Sequence, residues 1–456
     1  MTVDLARLCA AHPGQSGVQL LEDGPAALAL RIALVRRAQR HIDAQYYIWR
    51  DDAAGQLLRA ELAAAAARGV RVRLLLDDFG SPGADGWALP GVELRLFNPA
   101  RLRRWRWMNI LFDFSRLNRR MHNKALVVDG IACVIGGRNI GDEYFAADHP
   151  ALAADLDVLA IGAVAAAMAA DFQRYWDAAV AVPARPRPLL PAAADRLAAY
   201  RAAAAAPATA ALIDAADDFT WADVRILSDP PGKIAGEAPA EGLILPQLLA
   251  ALGPVTRRFL LVSAYFIPTP GLARLLGGLA GQGVRVEVLT NSLLSNNVAL
   301  IHAWYAPWRA RLLAMGVRLW ELRGAAGGRA RLGLVPRRLR RRDDGHSFFR
   351  RNASALHAKT IIADERWLFV GSMNLDPRSL QLNTELGFLI DSPVLARRLA
   401  AALDAGLPGF AWAVTRGGSG LEWRGDGAVL DREPGTGPGL RLALWLLGRL
   451  PLAGFF

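Results

Sequence analysis

One pattern in this chain occurs twice, and it limits the possible folds more than anything else. Met121–Gly130 reads MHNKALVVDG and Leu356–Glu365 reads LHAKTIIADE; each has His, Lys two places on, and Asp five places later. The flanks repeat as well. RGVRVRLLLD (Arg68–Asp77) matches QGVRVEVLTN (Gln282–Asn291), and each follows an Ala- or Leu-rich helical pattern ending in Gly. The apolar runs HIDAQYYIW and RFLLVSAYFI stand ahead of those helices. Behind the motifs come GGRN against GSMN, then DLDVLAIG (from Asp155) against NTELGFLI (from Asn383). A chain repeated over such lengths folds as two like halves, and 456 residues suit two domains better than one core.

Each half begins strand, helix, strand, the start of a right-handed βαβ unit with a parallel pair. The motif then reads as a hairpin. Apolar runs around Asp129-Gly130 are a strong turn signal, whereas Asp364-Glu365 is a poorer one, for which a longer loop is expected. The boundaries read as a first domain over 16–177, an Ala/Pro-rich linker over 178–216, a second domain over 217–408 and a C-terminal extension over 409–456 with an apolar tail. Arg323–Arg351 carries ten arginines and reads as a lid-like insertion.

Of 54 basic residues only Lys124, Lys233 and Lys359 are lysine, and two of these three stand in the repeated motif. Lysine is a compact point charge and arginine a planar fork, so the choice points to a role that needs the point charge. The net charge of +12 favours anionic partners of any kind. The two cysteines, Cys9 and Cys133, imply no disulfide framework. No basic start followed by an apolar stretch opens the chain and no apolar run reaches a bilayer's width, so a soluble or peripheral protein is expected.

Side chains alternate along a strand, so His122 and Lys124 share a face, as do His357 and Lys359. Gly136 and Gly371, after the returning strand, let backbone approach a ligand, and Asn139 and Asn374 can donate amide hydrogens. Imidazole, ammonium and amide donors suit a phosphate ester. Displacement at a phosphodiester needs a nucleophile and an acid for the leaving oxygen, and each half supplies one histidine; two copies facing each other make one site. Asp157 and Glu385, at matching places in the strand after each motif, are the expected orienters of the histidines. Asp129 and Asp364 read as turn residues. The remaining histidines show no ligand spacing, so no metal or other cofactor is expected.

The two H-x-K-x4-D motifs, each followed by G-G/S-x-N (Ser372 filling the second place in the later copy), resemble the phospholipase D superfamily. DAQYYIWRDD, LNRRMHNK, GGRNIGDEYF, SAYFIPT and SMNLDPRSLQLNTE are similar to bacterial cardiolipin synthases of the C-type class. The resemblance implies an α/β fold of two fused, pseudo-twofold-related α/β/α domains with mixed sheets and a site in the cleft between them. It also implies a phosphohistidine on His122, with His357 as the acid. The substrates it implies are phosphatidylglycerol and phosphatidylethanolamine, with transfer of a phosphatidyl group; hydrolysis of phospholipids, or a nuclease of the same superfamily, are the alternatives. An anionic membrane surface, on the cytoplasmic side of the inner membrane, is the expected partner, and nucleic acid is not.

Two segments bear on a lipid partner. RLRRWRWMNILFDFSRLNRR (Arg101–Arg120) mixes seven arginines with two tryptophans and two phenylalanines, suiting a lipid headgroup layer, stacked single-stranded nucleic acid or a solvated cleft rim. The tail LRLALWLLGRLPLAGFF reads equally as an interfacial anchor or as a helix docked on the protein's own core.

Overall fold

The structure, a computed structural model, describes residues 4–87, 89–103, 105, 108–145, 153–184, 219–296, 298–323, 355–418, 420–425 and 427–450. Most of the expected linker, nearly all of the Arg-rich insertion and the last six residues of the tail lie outside this set.

The first half contributes β1 (Ser16–Leu21), β2 (His41–Tyr46), β3 (Arg71–Asp77), β4 (Val92–Phe97), β5 (Lys124–Val128), β6 (Ala132–Gly136), the two-residue β7 (Ala153–Ala154), β8 (Asp157–Gly162) and β9 (Ala181–Pro183). The second contributes β10 (Thr220–Ser228), β11 (Arg258–Ser263), β12 (Arg285–Asn291), β13 (Arg318–Leu322), the two-residue β14 (Ala355–Leu356), β15 (Lys359–Ala363), β16 (Trp367–Gly371), β17 (Leu386–Asp391), β18 (Ala411–Gly417), β19 (Gly420–Gly425) and β20 (Ala428–Leu430).

Strand pairing in the first half runs β9-β4-β3-β2-β5-β6-β8-β1, and in the second β18-β13-β12-β11-β15-β16-β17-β10. The two orders match strand for strand. A three-residue antiparallel ladder between β1 and β10 joins them into one 18-stranded sheet. β2, β3 and β4 are parallel to one another, as are β11, β12 and β13, while the motif strands β5 and β15 run antiparallel to β2 and β11. Both expected βαβ units are therefore present in a mixed sheet.

Capping explains why the helices start where they do. Asp52 opens Ala53–Ala67 by accepting the Gly55 N–H, and Thr269, followed by Pro270, opens Pro270–Gly281 by accepting the Leu272 N–H. Gly69 and Gly283, at φ 90° and 88°, end the same two helices in the left-handed region. Each half has its own apolar core, and a third cluster lies between the halves. That cluster joins Val127, Ile135, Val158 and Met168 to Leu260, Val370, Phe388 and Leu395.

Two expectations need correction. The Asp364-Glu365 turn is no longer than its partner: β15 and β16 close between Ala363 and Trp367 as β5 and β6 do between Val128 and Ala132. Glu365 takes a left-handed φ of 55° beside Asp364 at 51°, a cost of about 1–2 kcal/mol that the surroundings must hold in place. The C-terminal extension is also not separate from the second half. β18 pairs with β13, and Val414 and Trp423 are buried in the second core. Within the linker as read, Ala181–Pro183 forms β9 at the edge of the first sheet.

Candidate active site

The motif aspartates lie at the far end of the hairpin from the histidines. The Asp129 carboxylate accepts the N–H groups of Gln39, Arg40 and His41 at 2.7–2.9 Å, and Asp364 accepts those of Thr256, Arg257 and Arg258 at 2.7–3.0 Å. Each aspartate thus ties the motif turn to the start of the neighbouring strand, which is the constraint that holds Glu365 in its strained conformation. Their work is structural, in keeping with the turn reading.

At the other end the motifs meet. His122 and His357 immediately precede the short leads into β5 and β15, beside the C-terminal ends of β2 and β11, where Tyr46 pairs with Lys124 and Ser263 with Lys359. Each histidine is seated by the other half. Met121 bridges Thr384 in parallel and the His122 N–H donates to the Thr384 carbonyl at 2.9 Å. In the mirror arrangement β14 pairs with β7, Leu356 opposite Ala154.

The same crossing brings each imidazole to a carboxylate. His122 Nδ1 lies 2.8 Å from Glu385 Oε2, and His357 Nδ1 lies 2.6 Å from Asp155 Oδ2. Both carboxylates are fully buried, while the imidazoles keep 11% and 20% exposure, so the ring edge beyond Nδ1 is what a ligand can reach. Lys124 and Lys359, each about 1% exposed, donate from Nζ to the carbonyls of His122 and His357. Tyr47 packs edge-on against His122 at 5.0 Å between ring centres, and Tyr144 against His357 at 5.3 Å.

Asp157 is not an orienter. Its carboxylate is held by Arg31 at 2.8 Å and Arg138 at 3.3 Å, all three buried. The strand ladders give the reason. Gly136 pairs with Asp157 in the first half and Gly371 with Gly387 in the second, so the position matching Asp157 is Gly387 and the position matching Glu385 is Asp155. The orienter that the sequence reading missed stands two residues earlier, on the same strand parity.

The glycines of the motif frame make room for this packing. A Cβ on Gly136 would come 2.2 Å from Asp157 Oδ1, and one on Gly371 2.4 Å from the Leu386 carbonyl. A Cβ on Gly137 would come 2.0 Å from Asp155 Oδ1, so that glycine makes room for the shorter carboxylate. Ser372 stands at the equivalent place in the second half, and its hydroxyl donates to Glu385 Oε2 at 2.5 Å. The carboxamide oxygens of Asn139 and Asn374 accept the N–H groups of Ile48 at 3.1 Å and Tyr265 at 3.4 Å, and Asn139 Nδ2 donates to the Tyr144 hydroxyl at 3.0 Å.

The electrostatics follow from burial plus crowded charge. Burial, then Lys124, Lys359 and His357, drive the His122 imidazole well below its ordinary pKa, so each half feels the other's cations. Burial lowers Lys124 to about 7 and Lys359 to about 8, against the pull of Glu385 and Asp155. Burial lifts Glu385 to about 7, opposed chiefly by Lys124. Asp155 is also pushed up by burial, but His357 and Lys359 outweigh this and hold it below the usual carboxylate range. Among the described residues no cluster of His, Cys, Asp and Glu could hold a metal ion.

The Arg101–Arg120 segment leads directly into the first motif, and Leu102, Trp105, Leu111, Phe112 and Phe114 on it are exposed. The tail docks on the protein's own core along one face only. The helix Pro438–Leu447 buries Leu444 against Leu293 and Ala303, and its outer face exposes Leu442, Trp445 and Leu446, with Arg449 stacked on Trp445. No helix of the described residues is long and apolar enough to cross a membrane.

Each half of the chain also matches a known family. The family model described as cardiolipin synthase, PLD-like domain matches residues 32–176 and 248–405, one match in each half. Cardiolipin synthase C of Escherichia coli (strain K12) is 40% identical to the chain, over 98% of this chain and 97% of that protein. Cardiolipin synthase A of Pseudomonas entomophila (strain L48) is 28% identical over 85% of this chain and 68% of its own length. Among solved structures, phosphatidylserine synthase from Haemophilus influenzae Rd KW20 shares the fold at a TM-score of 0.59 and 16% identity, covering 90% of this chain and 91% of that one. With two family matches, one per half, and a full-length relative at this identity, the chain belongs to the cardiolipin synthase family of phospholipase D-like phosphatidyltransferases.

Proposed function

We propose that the chain makes cardiolipin by moving a phosphatidyl group onto phosphatidylglycerol, with phosphatidylglycerol or phosphatidylethanolamine as donor. The observation that carries this reading is the crossed pair of imidazoles, each anchored at Nδ1 by a buried carboxylate of the opposite half, with two buried ammonium groups beside them.

In the first step the Nε2 lone pair of His122 attacks phosphorus, and the bond to the leaving alcohol breaks. His357, as imidazolium, gives its Nε2 proton to the departing oxygen, so glycerol or ethanolamine leaves as the alcohol rather than as an alkoxide, the ethanolamine ammonium unchanged. In the second step His357 takes the proton from a hydroxyl of the acceptor phosphatidylglycerol, that oxygen attacks phosphorus, and the bond to His122 breaks. Glu385 and Asp155 support these roles by keeping a proton on each Nδ1. The depressed His122 fits a neutral nucleophile; burial and Lys359 lower His357 as well, and the anionic Asp155 opposes them and favours the imidazolium that an acid at His357 needs. Lys124, Lys359 and the amides of Asn139 and Asn374 supply donors for the phosphoryl oxygens.

The partner surface we infer is an anionic bilayer on the cytoplasmic side of the inner membrane, met peripherally. The exposed apolar side chains of residues 102–114 and of the terminal helix, set among arginines, support it, and two free thiols suit a reducing compartment. The test is mass spectrometry of lipids after adding the purified chain to vesicles of phosphatidylglycerol and phosphatidylethanolamine. Cardiolipin with release of glycerol or ethanolamine, abolished by His122→Ala, is expected. Phosphatidic acid alone would make the enzyme a hydrolase, and untouched lipids would refute the reading.

A further inference from the structure

The third lysine of the chain is as deeply placed as the two in the motifs. Lys233, 3% exposed, lies in the short helical turn Pro231–Ala235 and bridges Asp229 Oδ2 at 2.7 Å and the Ser379 carbonyl at 3.0 Å. Asp229 is fully buried and closes on Glu385 from both sides. Its Oδ2 accepts the Glu385 N–H at 2.9 Å, and its own N–H donates to the Glu385 carbonyl at 3.0 Å. Oδ1 accepts the Ile244 N–H, and the hydroxyl of Tyr175, from the first half, donates to the Asp229 carbonyl at 2.6 Å.

The first half has no such device. The strand ladders set Leu21 opposite Asp157 and Ser228 opposite Leu386, which makes Asp23 the counterpart of Asp229. Asp23 is exposed and caps a helix through the Ala26 N–H. Asp155 is instead braced by Arg138, which donates to its carbonyl at 2.8 Å. So the carboxylate residue on His122 has the anion of an ion pair, Asp229, against its backbone, whereas the one on His357 has the cation of another, Arg138, whose partner is Asp157.

We propose that Asp229 and Lys233 are a positioning pair that sets Glu385 and, through it, the aim and tautomer of His122. This rests on the reading of His122 as nucleophile. Besides this pair, Glu385 faces Ser372, Ser379 and Asp376 from its own half, and His122 and Lys124 from the other, with Lys359 and Arg378 close by. Lys233 favours the ionised form of Glu385, and the Asp229 carboxylate, which Glu385 pushes up, opposes it. Removing either charge alone must therefore move Glu385 in opposite directions, a result that general damage to packing does not give.

The test uses the full chain in three forms, Lys233→Met, Asp229→Asn and the double variant. The readouts are the kcat and KM pH profiles on a soluble short-chain phosphatidylglycerol, and the 15N histidine NMR signals, with His122 assigned from His122→Ala. In Lys233→Met the acid limb of kcat and the His122 tautomer response move to higher pH, and kcat at pH 7 falls about 10- to 100-fold with KM unchanged. In Asp229→Asn both move to lower pH. The double variant brings them back between the positions of the two single variants, because the charges that pull Glu385 in opposite directions are removed together. Equal or same-direction movement in the two single variants overturns the proposal. Should Lys233→Met fail to fold, an unmoved His122 response in Asp229→Asn overturns it by itself. If the wild-type chain transfers no phosphatidyl group, the proposed function fails, and the NMR response still decides the positioning pair.

Discussion

Asp155 and Asp157 stand two residues apart, one just ahead of β8 and the other at its first position, and exchanging each for asparagine separates chemistry from stability. Asp155 receives the Leu156 N–H on Oδ1 at 2.8 Å and the His357 imidazole on Oδ2 at 2.6 Å. Asparagine at position 155 must turn its carbonyl oxygen to the fixed Leu156 N–H, which leaves its NH2 group facing His357 Nδ1. The imidazole then accepts at Nδ1, keeps its only proton on Nε2 and loses the imidazolium form that makes it an acid. The loss of general acid catalysis is about 10²- to 10⁴-fold in kcat, or about 2.7–5.4 kcal/mol at roughly 1.36 kcal/mol per decade. Asp157→Asn leaves Arg31 and Arg138, each 1% exposed, without their shared counter-charge. Breaking a buried pair in this way costs about 3–5 kcal/mol of stability. Steady-state transfer on short-chain lipid and urea unfolding followed by circular dichroism give the two readouts. The expected pattern is a slow, stable Asp155→Asn and a destabilised Asp157→Asn whose folded fraction turns over nearly normally. A folded Asp155→Asn with wild-type kcat, or an Asp157→Asn with the larger loss of turnover, would refute the register on which the site is built.

Other outcomes follow from the same geometry. Lys124→Arg or Lys359→Arg should lower kcat by at least about 100-fold, since a planar guanidinium cannot replace a buried ammonium bonded to the histidine carbonyl; near-normal turnover would show that the cation's shape is immaterial. The kcat/KM profile should be a narrow bell. Glu385 must be ionised to hold His122, so activity rises with pH through about 7, and Lys124 and Lys359 must be charged to meet the phosphate, so activity falls again as they lose their protons through about 7 and about 8; a flat profile between pH 6 and 9 would contradict these assignments. Leu111→Asp with Phe112→Asp should weaken binding to phosphatidylglycerol vesicles in sedimentation while leaving turnover of monomeric short-chain lipid intact, because both side chains are exposed, at 68% and 79%.

Much of this was legible in the sequence because the duplication supplied its own alignment. The βαβ starts, the paired hairpins and the convergence of His122, Lys124, His357 and Lys359 could all be read from spacing. The orienter was missed because strand alternation has a period of two: a shift from Asp155 to Asp157 keeps the same face, so parity could not choose between them. The matched residues Leu156 and Leu386, each following a carboxylate, carried the better register. The crossing of each carboxylate to the other half's histidine leaves no mark in either repeat, since it depends on how the halves dock. The length of the Asp364-Glu365 turn was misjudged because three backbone N–H groups from Thr256, Arg257 and Arg258 fix it, and turn propensity does not register contacts more than a hundred residues away.

The reciprocal seating of the histidines also restricts how lipids can come and go. A two-lobed chain could open like jaws, but here such a rotation would strip Glu385 from His122 and Asp155 from His357, tear the short Met121–Thr384 and Leu356–Ala154 links, and expose the apolar layer that both halves share. Donor, leaving alcohol and acceptor are therefore expected to exchange without a hinge opening between the lobes.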